Sequence, residues 1–219
     1  MRSNYEAQQV WDDFQFKVGH GVDPVLAFQQ MLADYQGSLE PLRWDDMKSP
    51  ATAINPPGQV SDPDVETTSG LLLFAAAGTE LVYIFDQLPH SWAEGTSISP
   101  HVHWSKTTSA AGDVAWNLKY KKAKLGEALD AAWTDLGMVT EPVAGTPDTD
   151  TADVQLLSSW GTQSFTSDFN ISDCILWELS RIGGDASDTY GADARLFEFD
   201  VHIQMDSQGS NALFEKTGS

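Results

Sequence analysis

Cysteine and basic residues are what this 219-residue chain has least of: it holds one cysteine, Cys174, and 12 lysines and arginines against 32 aspartates and glutamates. A single cysteine excludes an intrachain disulfide framework. Its place in the apolar run Cys174-Ile175-Leu176-Trp177 predicts a buried thiol, with no basic neighbours to activate it. The formal net charge of -20 argues against a nucleic-acid groove or an anionic membrane surface as partner, because both repel such a field. Long apolar runs are missing too, and none approaches the ~20 residues of a membrane span. The opening Met1-Arg2-Ser3-Asn4-Tyr5-Glu6 lacks the basic-then-apolar pattern of a signal peptide, so the chain is expected to be made in a cytoplasm and to leave by lysis or within a particle. There is no Gly-x-Ser-x-Gly elbow, phosphate loop or dinucleotide fingerprint, and the expectation is a protein that is not an enzyme.

What is present is core material. A hydrophobic share of 41% with 11% aromatics suffices for one large all-β domain or two small ones. Asp23-Pro24, followed by Val25, Leu26, Phe28, Leu32 and Tyr35 and then Gly37, reads as a helix with an N-cap, a first-turn proline and a glycine stop. A weaker helical pattern runs from Tyr5 to Phe16, and Gly19 and Gly21 divide the two. Residues 1–40 thus form a short helical N-terminal arm, which either folds back on its own domain or docks on a neighbouring subunit. From 41 to 70 the prolines Pro50, Pro56, Pro57 and Pro63 favour an extended strap. Leu42, Trp44 and Ile54 are apolar enough to lie on a protein surface, and with Val25, Phe28, Leu32 and Tyr35 they are the candidate interaction residues.

After Gly70 the pattern becomes strands separated by turn clusters, predicted near 71–77, 80–88, 98–107, 114–122, 132–139, 154–160, 174–182 and 195–205. A run of strands without βαβ alternation predicts a mainly β, jelly-roll-like antiparallel sandwich over 71–210, with a C-terminal tail over 211–219. Turn signals between strands are Gly78-Thr79, Ala111-Gly112-Asp113 and the loop 183–193, read as hairpins. Alternation gives dry faces: Val114, Trp116, Leu118 and Tyr120 in one strand, and Phe197, Phe199, Val201, Ile203 and Met205 in the last.

The same alternation in Pro100-His101-Val102-His103-Trp104 buries Val102 and Trp104 and turns His101 and His103 to the other face. His101, His103, His202, Glu178, Glu198 and Asp200 all fall on polar strand faces, and a two-histidine-plus-carboxylate set can hold zinc or iron where strands are adjacent. Three readings stand open: a cupin-like metal enzyme, a structural ion shared by His101 and His103 of several subunits at a threefold axis, and hydrogen-bonded polar groups with no cofactor. Asp185, Asp188 and Asp193 miss the spacing of a calcium-binding EF-hand and read as a polar loop. Glu198 and Asp200 have the spacing of neighbouring acids on one strand face, a glycosidase pair only in principle. Most of the tryptophans fall on apolar phases and are expected in the core.

The motifs Pro89-His90-Ser91-Trp92, Pro100-His101-Val102-His103-Trp104, Ser180-Arg181-Ile182-Gly183-Gly184-Asp185 with Asp188-Thr189-Tyr190, and Phe197-Glu198-Phe199-Asp200-Val201-His202 resemble a family of small proteins encoded among the virion structural genes of tailed bacteriophages. The resemblance extends to Trp44-Asp45-Asp46 and the segment from Pro50 to Gly58, and so spans about residues 44 to 210. It implies a virion component and carries no catalytic residues. Joined to the acidic surface and the N-terminal arm, it yields the expectation of a homotrimeric capsid decoration or cement protein on the outer head surface, made in the host bacterial cytoplasm. Its partners would be the major capsid protein and neighbouring copies of itself. A tail-fibre-associated or receptor-binding module is the alternative, and a metal-dependent cupin-like enzyme the second.

Overall fold

The computed structural model describes residues 4–39, 43–140, 149–165 and 169–206. Two helices, α1 (Asn4–Gly19) and α2 (Pro24–Leu39), lead into strands β1 (Arg43–Pro50), β2 (Asp64–Val65), β3 (Leu72–Phe74), β4 (Thr79–Gln87), β5 (Ser99–Lys106), β6 (Trp116–Ala123), β7 (Thr134–Val139), β8 (Gln155–Ser159), β9 (Cys174–Ile182) and β10 (Ala194–Met205). The Asp23 carboxylate accepts from the backbone N–H groups of Val25 and Leu26 at 2.9 and 3.2 Å, the N-cap the sequence predicts. Gly37 lies inside α2 and does not end it. No helix among the described residues is long and apolar enough to cross a membrane.

The strands form two antiparallel sheets, a mainly β sandwich as the alternation predicts. One runs β2-β3-β10-β5-β8, the other β4-β9-β6-β7. The twelve-residue β10 is the spine of the first. One of its edges pairs with β5 over 194–202, while the other is shared end to end by β3, opposite 194–196, and β1, opposite 198–205. The stretch from 41 to 70 therefore contributes two strands where a proline-rich strap outside regular structure was expected. The physical reason is that β10's long edge presents unpaired N–H and C=O groups, which residues 43–50 satisfy, with Pro50 at the strand's last position where a missing N–H costs least.

The core fills the space between the sheets. Aromatic pairs tie one layer to the other: Trp104 to Trp116 at 6.1 Å, Phe74 to Trp116 at 5.1 Å and Trp177 to Phe199 at 5.5 Å between ring centroids. Each such pair contributes about 0.5–1.5 kcal/mol beyond its area. Ile54 is in this core, so it is a packing residue of its own domain and not a contact for another. Cys174 is half-buried at the start of β9 rather than fully enclosed, and burial pushes its thiol up.

The three turns read as hairpins are arches between sheets. Gly78-Thr79 separates β3 from β4, Ala111-Gly112-Asp113 lies between β5 and β6, and 183–193 between β9 and β10; in every case the flanking strands belong to different sheets. Glycine at positive φ suits any sharp reversal, and the local sequence does not say to which sheet the next strand returns.

Candidate functional site

The outer face of the first sheet is built by register. His101 pairs with Asp200 and His103 with Glu198 across β5 and β10, while Asp46 pairs with His202 and Lys48 with Asp200 across β1 and β10. Directly paired residues project to one side of a sheet, so the three strands β1, β10 and β5 deliver a polar row to one place. Between Leu196 and Glu198 the register shifts, because Phe197 is an extra residue in β10. This bulge changes the phase: Leu196 and Phe199 both enter the core, and Phe197 is turned to the histidine side. Simple alternation placed Phe197 in the core, and the extra residue is why it is not there. The resulting basin, of about 460 Å³, is lined by Asp46, Lys48, His101, His103, Gln155 and Asp200, with Phe197, Leu157, Glu198 and His202 completing it.

At its centre His101, His103 and Asp200 converge, with one ligand-type atom from each within 4.8 Å of the others. His101 Nε2 contacts Asp200 Oδ1 as an ion pair, and His103 Nε2 lies 3.4 Å from Asp200 Oδ2. His101 Nδ1 donates to the Ser99 carbonyl at 3.3 Å, and His103 Nδ1 is bonded to the Gln155 side-chain amide at 2.8 Å. His202 packs against His101, with ring centroids 4.2 Å apart, and its Nε2 lies 3.0 Å from the Asp46 carboxylate.

Charge is concentrated here. Burial alone would raise Asp200, but hydrogen bonds and charge from His101 and His103 outweigh it and hold the carboxyl well below the ordinary carboxylate range. For His101 burial works against the imidazolium, and the bond to Asp200 more than offsets it, so its pKa is raised. His202 is lowered by burial and by the nearby His101 charge. Glu198 is raised, first by burial and then by Asp200 beside it.

The other acids singled out by sequence lie elsewhere. Glu178 is on β9 in the opposite sheet, where it accepts from Lys119 Nζ at 2.9 Å. Asp188 is bonded to Arg181 and to the Ala115 N–H, and Asp185 Oδ1 accepts from Ser187 within the loop. Among the interaction candidates, Val25, Phe28 and Trp44 are exposed. Leu32 and Tyr35 lie in α2, but their side chains, and all of Leu42, fall outside the described residues.

Sequence reasoning missed Asp46, Lys48, Gln155 and Phe197. Asp46 and Lys48 carry a usable signal, since a two-residue spacing within an extended segment puts both on one face once that segment is taken as a strand. Gln155 and the bulge at Phe197 carry none, because both depend on pairing with strands far away in sequence.

No family model matches the chain, and no curated protein matches its sequence. Among solved structures it is similar to the CBM36-1 domain of a multidomain xylanase from the hindgut metagenome of Trinervitermes trinervoides, with 8% identity, 72% of this chain and 96% of that one covered, and a TM-score of 0.39. A CBM35 module from Cellvibrio japonicus Abf62 gives 10% identity, 76% and 95% coverage and a TM-score of 0.37. Similarity at this level carries no ligand or activity across.

Proposed function

We propose that this chain is a structural protein of a tailed-bacteriophage virion, a capsid decoration or cement protein that sits on the outer head surface as a homotrimer. The observation that carries the reading is the helical arm. Its α1 and α2 pack on each other through contacts such as Phe14 with Phe28, yet Trp11, Phe16, Val25, Leu26 and Phe28 remain exposed, Val25 at 65% and Phe16 at 62%. A cluster of large apolar side chains on one small hairpin marks a surface that water does not suit and a partner would cover.

The mechanism follows from the two-part build. The sandwich has its own core, and the 43–50 segment is a strand within it, so the clamp is the arm alone and not the first 70 residues. Each arm buries its apolar face on the major capsid protein or a neighbouring copy, and repetition over the lattice multiplies a modest single contact. The -20 charge keeps the outward face in water. The resemblance of the histidine, arginine-glycine and Phe197-to-His202 motifs to virion structural proteins supports the same assignment.

A tail-located receptor-binding module is the second reading, favoured by a different surface. On the outer face of the second sheet Tyr83 and Trp133 lie parallel, 5.9 Å apart at 11°, with Phe85 exposed at 62% and Lys121 Nζ 5.0 Å from the Trp133 ring. Co-sedimentation of purified protein with heads lacking it, and with host cells, separates the two. Capsid decoration predicts that the chain pellets with heads and that Val25→Asp with Phe28→Asp abolishes this while leaving the circular dichroism spectrum unchanged. Pelleting with cells and not heads, or head binding indifferent to the arm substitutions, would overturn it.

A further inference from the structure

We infer that His101, His103 and Asp200 form a mononuclear binding site for a divalent transition ion of the zinc class, complete within one chain. The inference is independent of the virion assignment. Two imidazole nitrogens and one carboxylate are a borderline donor set, suited to zinc or cobalt and poorly matched to calcium or magnesium, which take oxygen alone. The three donors already converge, with their ligand atoms within 4.8 Å of one another. The backbone assembles them, because the β5–β10 register sets His101 against Asp200 and the strand pleat brings His103 to the same face.

The outer contacts are those a metal-bound histidine needs. A ligating imidazole offers one ring nitrogen to the ion and gives the other N–H to an acceptor, which fixes its tautomer. His101 Nδ1 already faces the Ser99 carbonyl, leaving Nε2 for the ion. His103 Nδ1 faces the Gln155 amide, whose Oε1 accepts the Nδ1 proton after a half-turn about its last side-chain bond. Asp200 Oδ1 is fully buried beside His101 Nε2, so a cation that parts the two atoms would take both as ligands.

This geometry decides between one chain and several. The His101 side chain is only 4% exposed and faces Asp200 of its own chain, so it has no path to an imidazole of another subunit at a threefold axis. The ion would therefore bridge β5 to β10, the two central strands of the first sheet, with three protein ligands. Its remaining position faces the basin between Lys48, Glu198 and Phe197.

The test is titration of the untagged, metal-depleted full-length chain with Zn2+ by calorimetry, and with Co2+ by visible absorption. The expected result is one ion per chain and a cobalt spectrum of four- or five-coordinate type. His103→Ala and Asp200→Asn should each weaken binding by about 100-fold or more, whereas His20→Ala, in the exposed turn after α1, should leave it unchanged. Near-ultraviolet circular dichroism shows which variants are folded, and His103, being half-exposed, gives a substitution that keeps the test sound if Asp200→Asn unfolds. Absence of zinc binding by the folded parent, binding insensitive to His103→Ala, or one ion per three chains would each overturn the inference.

Discussion

Arg181 and Asp188 meet in a two-pronged ion pair, Nε to Oδ2 at 2.9 Å and Nη2 to Oδ1 at 2.8 Å, with side chains 0% and 1% exposed. The remaining donors of the guanidinium bond the carbonyls of Phe74, Ala192 and Tyr190. One side chain thus fastens the end of β9, the arch that follows it and β3 of the other sheet, which explains why a polar loop of this length is held on the sandwich. Arg181→Leu leaves the Asp188 charge buried and unpaired, so urea denaturation should show a loss of about 3–5 kcal/mol. A loss below about 1 kcal/mol would mean that the pair is not what fastens the arch.

Gly112 tests the same arch from its other side. Its φ is +134°, and a Cβ there would sit 2.5 Å from the Thr189 carbonyl oxygen. Gly112→Ala combines a backbone strain with a clash against main chain that cannot swing aside, and a destabilisation of about 2 kcal/mol or more is expected from thermal unfolding. Gly126, at a φ of +81° with nothing within 4 Å, is the control and should lose less on the same change.

The buried Asp86 gives a pH dependence with a definite sign. Burial raises its pKa above the usual 3.8, although Ser49 Oγ at 3.1 Å and Trp177 Nε1 at 2.9 Å both donate to its carboxylate and oppose the rise. A carboxyl whose folded pKa exceeds its unfolded value favours the fold below the unfolded pKa, and that advantage is lost as pH rises through the folded one. Asp86→Asn carries no charge and still offers an oxygen to Trp177 and an N–H to Ser49. It should be more stable than the parent at pH 7, with the difference shrinking as pH falls towards 3.8. An asparagine variant less stable than the parent at pH 7 would show that the hydrogen bonds outweigh the burial of charge.

The bulge in β10 separates two neighbouring phenylalanines by their cost. Phe199 is fully buried against Trp177, and Phe199→Ala should cost about 3–5 kcal/mol in chemical denaturation. Phe197 has left the core for the basin, and Phe197→Ala should cost about 1 kcal/mol or less. Equal costs would place both on the dry face, as strict alternation does.

The fold was legible where a strand has one wet face and one dry. Trp116 and Leu118 on β6, and Val102 and Trp104 on β5, declare their inward side by period two alone, and Asp23 declares the start of α2. What was not legible depends on partners distant in the chain. Residues 43–50 look like a strap because neither proline content nor polarity reveals that β10 needs an edge partner, and Gly78 looks like a hairpin because an arch uses the same residue. For the basin the histidines were visible and their partner Asp200 was on the right face, whereas Glu178, equally acidic and equally alternating, went to the other sheet. Strand order decided between them, and no local pattern encodes strand order.

The proposed virion role is tested most directly by quantitative mass spectrometry of purified phage particles for this chain, with the major capsid protein as the internal standard. Decoration of the head predicts hundreds of copies per particle, in a fixed ratio to the capsid lattice. A dozen copies or fewer would move the protein to the tail, and its absence from the particle would contradict the structural role altogether.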